Sequence, residues 1–245
     1  MAEPARTPRL AVLIDADNAS AQIATGLFEE IAKLGEASVR RVYGDFSGMR
    51  LKGWTEILAQ HAIMPHQTFA YTTGKNASDI ELVIDAMDLL HSGRLDGFCL
   101  VSSDSDFTRL AARIREDGID VYGFGEQKTP KSFIHACGRF IYTENLLPEA
   151  PQVDEAEGPK AKPTRALKPP SAAVPLLRKA IAQADDDGDG WVSLGLIGKR
   201  LTELASDFDS RTYGHAKLSE LVEKCGAFEM KRDEGGGVYI RRRQS

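Results

Sequence analysis

Short runs of β-branched and apolar residues alternate with longer stretches in which apolar positions recur every three or four residues, and this alternation governs the first 146 residues. The runs LAVLID (10–15), SVRRVYG (38–44), AIMPHQ (62–67), GFCLVS (97–102), DVYGF (120–124) and RFIYT (139–143) predict strands. Between them, helical periodicity predicts helices over 20–34, 50–61, 78–92, 107–117 and 130–137. Strands and helices alternating at this spacing predict an α/β fold, a Rossmann-like parallel sheet with helices on both faces. Such folds bind ligands beyond the carboxyl ends of their strands, where the strand order reverses.

The pattern lapses after residue 146. Seven of the chain's eleven prolines fall within 147–175, among few residues able to build a core. Residues 147–173 are therefore expected to be an extended linker. Periodicity returns at 174 with a helix to 184, the short strand WVS (191–193), and helices over 194–205 and 217–226. A hairpin should close the chain: 227–231 and 238–242 flank Gly235, Gly236 and Gly237, which permit positive φ in a turn. Three helices and a hairpin predict a small winged-helix domain over 174–245.

Charge and cysteine content narrow the function classes. The net charge is -5, and residues 1–150 carry 15 basic against 21 acidic residues, so any nucleic-acid surface must be local. Three widely spaced cysteines suit a reducing compartment better than a disulfide framework. No apolar run reaches membrane-spanning length, and MAEPARTPR lacks the apolar stretch of a signal peptide. A cytoplasmic protein without membrane attachment is expected.

Two of the most apolar strands end in acid. AVLIDADN delivers Asp15, then Asp17 and Asn18 in the turn, and FCLVSSDSD delivers Asp104 and Asp106 beyond Ser102 and Ser103. If these strands are neighbours, three or four carboxylates converge and repel unless a cation or protons neutralise them. Oxygen ligands without nearby His or Cys select Mg²⁺ or Mn²⁺. In GKNASDIELVIDAM, Ser78 could cap a helix that carries Asp79 in its first turn, facing the same crevice, whereas Asp85 lies well round the helix. Each acid alone has a plain structural reading. Asp104 or Ser105 could cap the next helix, and acids favour a first turn for the sake of the helix dipole.

Other motifs fail. DADNA lacks the final Thr or Val of a haloacid-dehalogenase phosphatase motif, and FAYTTGKN has Phe69 and Asn76 where a phosphate loop needs Gly and Ser or Thr. Lys75 is better read as a phosphate contact near Asp79. DDDGDGWVSLGL matches a calcium loop at Asp185, Asp187, Asp189 and Gly190, but Leu196 stands where the bidentate Glu belongs. The five histidines have no ligand-like spacing.

LIDADN, GKNASDIELVIDAM and VSSDSDF resemble, in order and spacing over residues 9–146, the signature blocks of the NYN domain, a ribonuclease-like family with the PIN-type α/β fold. The resemblance implies a Mg²⁺- or Mn²⁺-dependent ribonuclease, an endonuclease, with Asp15, Asp79, Asp104 and Asp106 as catalytic and metal-binding acids. Asn18 would position metal or phosphate, with Ser102 and Ser103 at the substrate. Arg50 and Lys52, after a strand's carboxyl end, could grip RNA. DGDGWVSLGLIGKRL, FDSRTYGHAKLSELVE, FEM and VYIRR similarly resemble the LOTUS or OST-HTH domain, which implies RNA binding, including G-rich RNA. Some members bind a DEAD-box helicase through an additional C-terminal helix; the chain stops at RRRQS, so a helicase partner is not expected. Lys217, Lys231, Arg232, Arg241, Arg242 and Arg243 are candidate phosphate contacts. The expectation is a ribonuclease tethered to an RNA-binding domain, able to form a homo-oligomer. The alternative is a non-catalytic RNA-binding adaptor with a vestigial acidic pocket.

Overall fold

The computed structural model describes residues 6–68, 77–147, 167–184, 190–233 and 235–243. Lys75, most of the expected linker and the acidic run 185–189 of the calcium-like motif lie outside the described residues. The chain divides into two compact units, Met1–Val153 and Asp154–Ser245. Among the described residues no helix is long and apolar enough to cross a membrane.

Among its described residues the first unit holds six strands: β1 (Arg9–Asp15), β2 (Glu36–Gly44), β3 (Met64–Gln67), β4 (Gly97–Val101), β5 (Asp120–Gly125) and β6 (Arg139–Tyr142). They form one sheet in the order β3-β2-β1-β4-β5-β6, and every pairing is parallel. The order runs outward in one direction from β1 and in the other from β4, so the switch point lies between those two strands. The sheet is covered by α1 (Ala24–Ala32), α2 (Lys52–His61), α3 (Ala77–His91), α4 (Thr108–Glu116) and α5 (Lys131–Ala136).

The central strands are buried on both sides because helices cover both. In β1, Leu10, Val12 and Ile14 enter one core with Leu27 and Ile31 of α1 and Trp54 of α2. Ala11 and Leu13 enter the other, with Leu82 and Ala86 of α3, Leu110 of α4 and Phe133 of α5. Period-two alternation across two covered faces turns an amphipathic strand into a continuous apolar run, the pattern seen in residues 10–14. The strand ends pack closely. A Cβ on Gly125 would stand 2.5 Å from the Ser102 carbonyl oxygen and 2.8 Å from the Thr129 hydroxyl, so only glycine lets β5 finish against the residues that follow β4.

The second unit contains α6 (Val174–Ala184), β7 (Val192–Ser193), α7 (Leu194–Leu204), α8 (Leu218–Cys225), β8 (Phe228–Arg232) and β9 (Val238–Arg242). Its sheet runs β7-β9-β8, with both pairings antiparallel. Leu177 and Ile181 of α6, Ile197 and Leu201 of α7, Leu221 and Val222 of α8, and Phe228 and Ile240 form its core. Ser193 both ends β7 and caps α7, its Oγ accepting from the Leu196 N–H at 3.2 Å. Gly236 takes φ 82° in the hairpin turn.

Candidate active site

Ile14 of β1 pairs with Val101 of β4, so the next residues, Asp15 and Ser102, emerge side by side at the switch point. Asp15 is 1% exposed. Its Oδ1 accepts from the backbone N–H groups of Asp17 (3.0 Å) and Asn18 (3.3 Å). Its Oδ2 accepts from the Asn18 amide (2.8 Å) and the Ser102 hydroxyl (2.7 Å). Four donors engage a carboxylate with about four lone-pair sites. Burial nevertheless raises the Asp15 pKa, and the hydrogen bonds from Ser102, Asn18 and Asp17 only oppose that rise.

Ser102 continues the chain of contacts, its Oγ accepting the Asp104 N–H at 3.0 Å. Asp104 then caps the short turn Ser105–Phe107, its Oδ1 accepting the Asp106 N–H at 2.9 Å. The capping role is thus real, and it coexists with a charge effect on Asp79. Asp79 lies in the first turn of α3. Burial pushes its carboxyl up to about 6, with further contributions from the charges of Asp15, Asp104, Asp17 and Asp106 in that order. Asp15, Asp104, Asp17 and Asp106 therefore lie near enough to Asp79 for their charges to act on it.

Asp17 is the member that sequence reasoning left in the turn without a role. Its Oδ1 is 3.4 Å from Arg50 Nη2, and its Oδ2 accepts from the Ser78 hydroxyl at 3.4 Å. The repeated acid in DADN was the available signal. Ser78 lies within α3 and ties its first turn to the β1 loop instead of capping it. Arg50 is exposed at the rim, whereas Lys52 turns to Glu56 on its own helix at 3.6 Å.

Ser102 needs a correction: at 2% exposure it is closed off from substrate and works as the tie between the two strand ends. Ser103 faces β5, its Oγ accepting the Glu126 N–H at 2.9 Å. Asp45, beyond β2, stays out of the cluster. Its carboxyl is held below the usual range by hydrogen bonds from Ser47 and Gln67. Asp85, as its helical angle implied, turns to the sheet and accepts from Arg41 Nη1 (2.6 Å) and the Tyr43 hydroxyl (2.8 Å).

Among the described residues no three His, Cys, Asp or Glu side chains stand close enough together to hold a metal ion. The donor chemistry still fits a hard divalent cation. The set is all-oxygen, and the raised Asp79 reflects burial first and then neighbouring negative charge, which a cation would relieve.

In the second unit, Lys231 and Arg241 lie over the Trp191 ring, and Arg241 also pairs with Glu229 at 2.6 Å. Arg242 Nη2 donates to the Arg178 carbonyl (2.6 Å) and Arg243 Nη1 to that of Gly226 (3.3 Å), so the basic run is anchored to the domain. Arg232 is exposed on β8, and Lys217 lies at the start of α8.

The model of the NYN domain matches residues 9–147. The chain belongs to the NYN-domain family. That domain is part of a nuclease superfamily whose members generally use divalent metal ions. The OST-HTH/LOTUS model matches residues 166–240, placing an RNA-binding module after the NYN domain. No curated protein matches the chain. Among solved structures, a Vibrio parahaemolyticus protein of unknown function is 18% identical over 60% of this chain and 99% of its own, with a TM-score of 0.49. An uncharacterised Nitrosomonas europaea protein is 32% identical over 40% of this chain and 89% of its own, with a TM-score of 0.27.

Proposed function

We propose that the chain is a Mg²⁺- or Mn²⁺-dependent endoribonuclease whose LOTUS domain recruits structured, G-rich RNA. The observation that carries this reading is the junction of β1 and β4 at the switch point of the sheet, where Ser102 ties Asp15 to the Asp104 backbone and Asp79 is pushed up by burial and by neighbouring carboxylates. A fold gains nothing from gathering uncompensated negative charge there, so a cation and a phosphate are the natural occupants. Asp15, Asp79, Asp104 and Asp106 would hold the metal. Bound there, a cation would make a water easier to deprotonate to a nucleophile and would supply positive charge for the phosphate oxygens.

The protein's own contributions follow from the contacts. Asp15 is held rigid by four donors and can meet a cation only by exchanging one of them. The exposed Asn18 amide is the donor free to leave. Ser102 keeps Asp15 and Asp104 in fixed relation from beneath the site. Arg50, held at the rim by Asp17, meets an incoming phosphate, and Lys52 and Lys75 add sequence-independent charge. Water is the attacking group, so no side chain has to form a covalent bond.

Incubation with a circular RNA tests the reading. The expected result is linear product with 5′-phosphate and 3′-hydroxyl ends, formed with Mg²⁺ or Mn²⁺ and stopped by EDTA. Ends bearing 2′,3′-cyclic phosphate would refute the water mechanism. Intact circles under all metal conditions would favour the adaptor reading.

A further inference from the structure

The small sheet of the LOTUS domain has two unlike faces. Its register sets Val192, Ile240 and Met230 across one face and Ser193, Tyr239 and Lys231 across the other. Ile240 and Val192 are core residues, so alternation assigns Trp191, Tyr239, Arg241, Glu229 and Lys231 to the outer face. There Lys231 Nζ stands 4.2 Å from the Trp191 ring centroid and 5.8 Å from that of Tyr239, and Arg241 Cζ stands 4.6 Å from Trp191. Glu229 grips Arg241 through Nε at 2.7 Å and Nη2 at 2.6 Å.

The plain reading is that two long basic side chains cover an indole with their stems and gain a cation–π contact. That accounts for Trp191 and its two cations. It does not account for a second aromatic, Tyr239, beside Lys231 on the outer face of a three-stranded sheet, or for Glu229 holding Arg241 there. A guanidinium lying over an indole keeps a second planar face, on which a nucleobase can stack, and a neighbouring lysine supplies a point charge for phosphate. Aromatics interleaved with cations on an open sheet face suit bases that are free to leave their own stack.

We propose that the outer face of β7-β9-β8 is a platform for unpaired nucleotides, the loops and single-stranded ends that a structured RNA presents. An unpaired base stacks on the Trp191–Arg241 layer while Lys231 and Arg241 contact the adjoining phosphates. The inference rests on the reading of this domain as RNA-binding and adds the surface used and the form of RNA taken. Glu229 tunes the platform by holding Arg241 in reserve, so its ion pair competes with phosphate.

The test is a fluorescence titration of the intact chain in EDTA, which prevents cleavage, with a single-stranded oligoribonucleotide and with the same sequence as a duplex. Trp54 is buried at 2% exposure and donates to the Ala19 carbonyl, so it provides a constant background. Single strands should quench the emission and duplex should not, and Trp191→Phe should remove the signal. Read by filter binding in EDTA, which is independent of the Trp191 reporter, Trp191→Ala should weaken binding by about tenfold, the loss of one stacked base. Lys231→Ala with Arg241→Ala should weaken it similarly without touching the core. Glu229→Gln should tighten it, a gain that a merely structural cluster would not produce. If the single strand binds but neither Trp191→Ala nor the double variant weakens it, the platform is wrong and the RNA-binding reading stands. Equal quenching by duplex would overturn the single-strand preference. A wild-type chain with no RNA affinity at low salt would overturn both.

Discussion

Replacing Asp79 by Asn removes one carboxylate from a half-buried position that feels the charges of Asp15, Asp104, Asp17 and Asp106, and should make the metal-free protein more stable above pH 6. The Asp79 carboxyl is raised from 3.8 to about 6. A carboxyl whose folded pKa is raised takes up protons more readily in the folded state. The corresponding stability is fully present below about pH 4 and is lost as pH rises through 6. A rise of roughly two units corresponds to about 3 kcal/mol, and the partial exposure of the site cuts this to about 1.5 kcal/mol. Losing an acid from the first turn of α3 returns about 0.5 kcal/mol. A net gain of about 1 kcal/mol remains, or about 2–4 °C in Tm. Thermal melts of wild type and Asp79→Asn in EDTA at pH 7.5 and pH 4.5 measure it. The difference should favour the variant at pH 7.5 and shrink at pH 4.5. A variant less stable than wild type at pH 7.5, or a gap independent of pH, would refute the electrostatic account.

Ser102→Ala removes the link between Asp15 and Asp104 and should cost about 1–3 kcal/mol in urea denaturation, with slower cleavage as the two acids lose their fixed relation. Asp85→Ala leaves Arg41 and the Tyr43 hydroxyl without their acceptor and should cost about 2–3 kcal/mol, while cleavage per folded molecule is unchanged in single-turnover assays. Deleting residues 174–245 should weaken RNA binding and flatten its salt dependence, leaving slow, metal-dependent cleavage. Filter binding across salt concentrations together with gel assays checks both effects.

The acidic crevice was legible because an apolar strand that ends in an aspartate is a local pattern, and the chain repeats it at Asp15 and Asp104. Their adjacency was not. One neighbour of β1 is β4, more than eighty residues later, and no local pattern reveals the β3-β2-β1-β4-β5-β6 order. Ser102 was misjudged for a related reason. A serine after a strand reads as exposed until Gly125 lets β5 close against its carbonyl. In the LOTUS domain, Arg241, Arg242 and Arg243 read as one basic run. Strand alternation separates them, sending Arg241 to Trp191 and Glu229, Arg242 to α6 and Arg243 to Gly226. Charge composition could suggest RNA, but only the cross-strand register assembles Trp191, Tyr239, Lys231 and Arg241 on one face.

Asp104→Asn tests the central claim most directly, because Asn caps a helical turn as well as Asp does and the change removes only charge. Wild type and variant are compared for RNA cleavage in Mn²⁺ and for RNA affinity in EDTA. The account predicts cleavage abolished in the variant, with affinity unchanged or higher because a phosphate meets less repulsion. A purified variant that cuts RNA at the wild-type rate would contradict it.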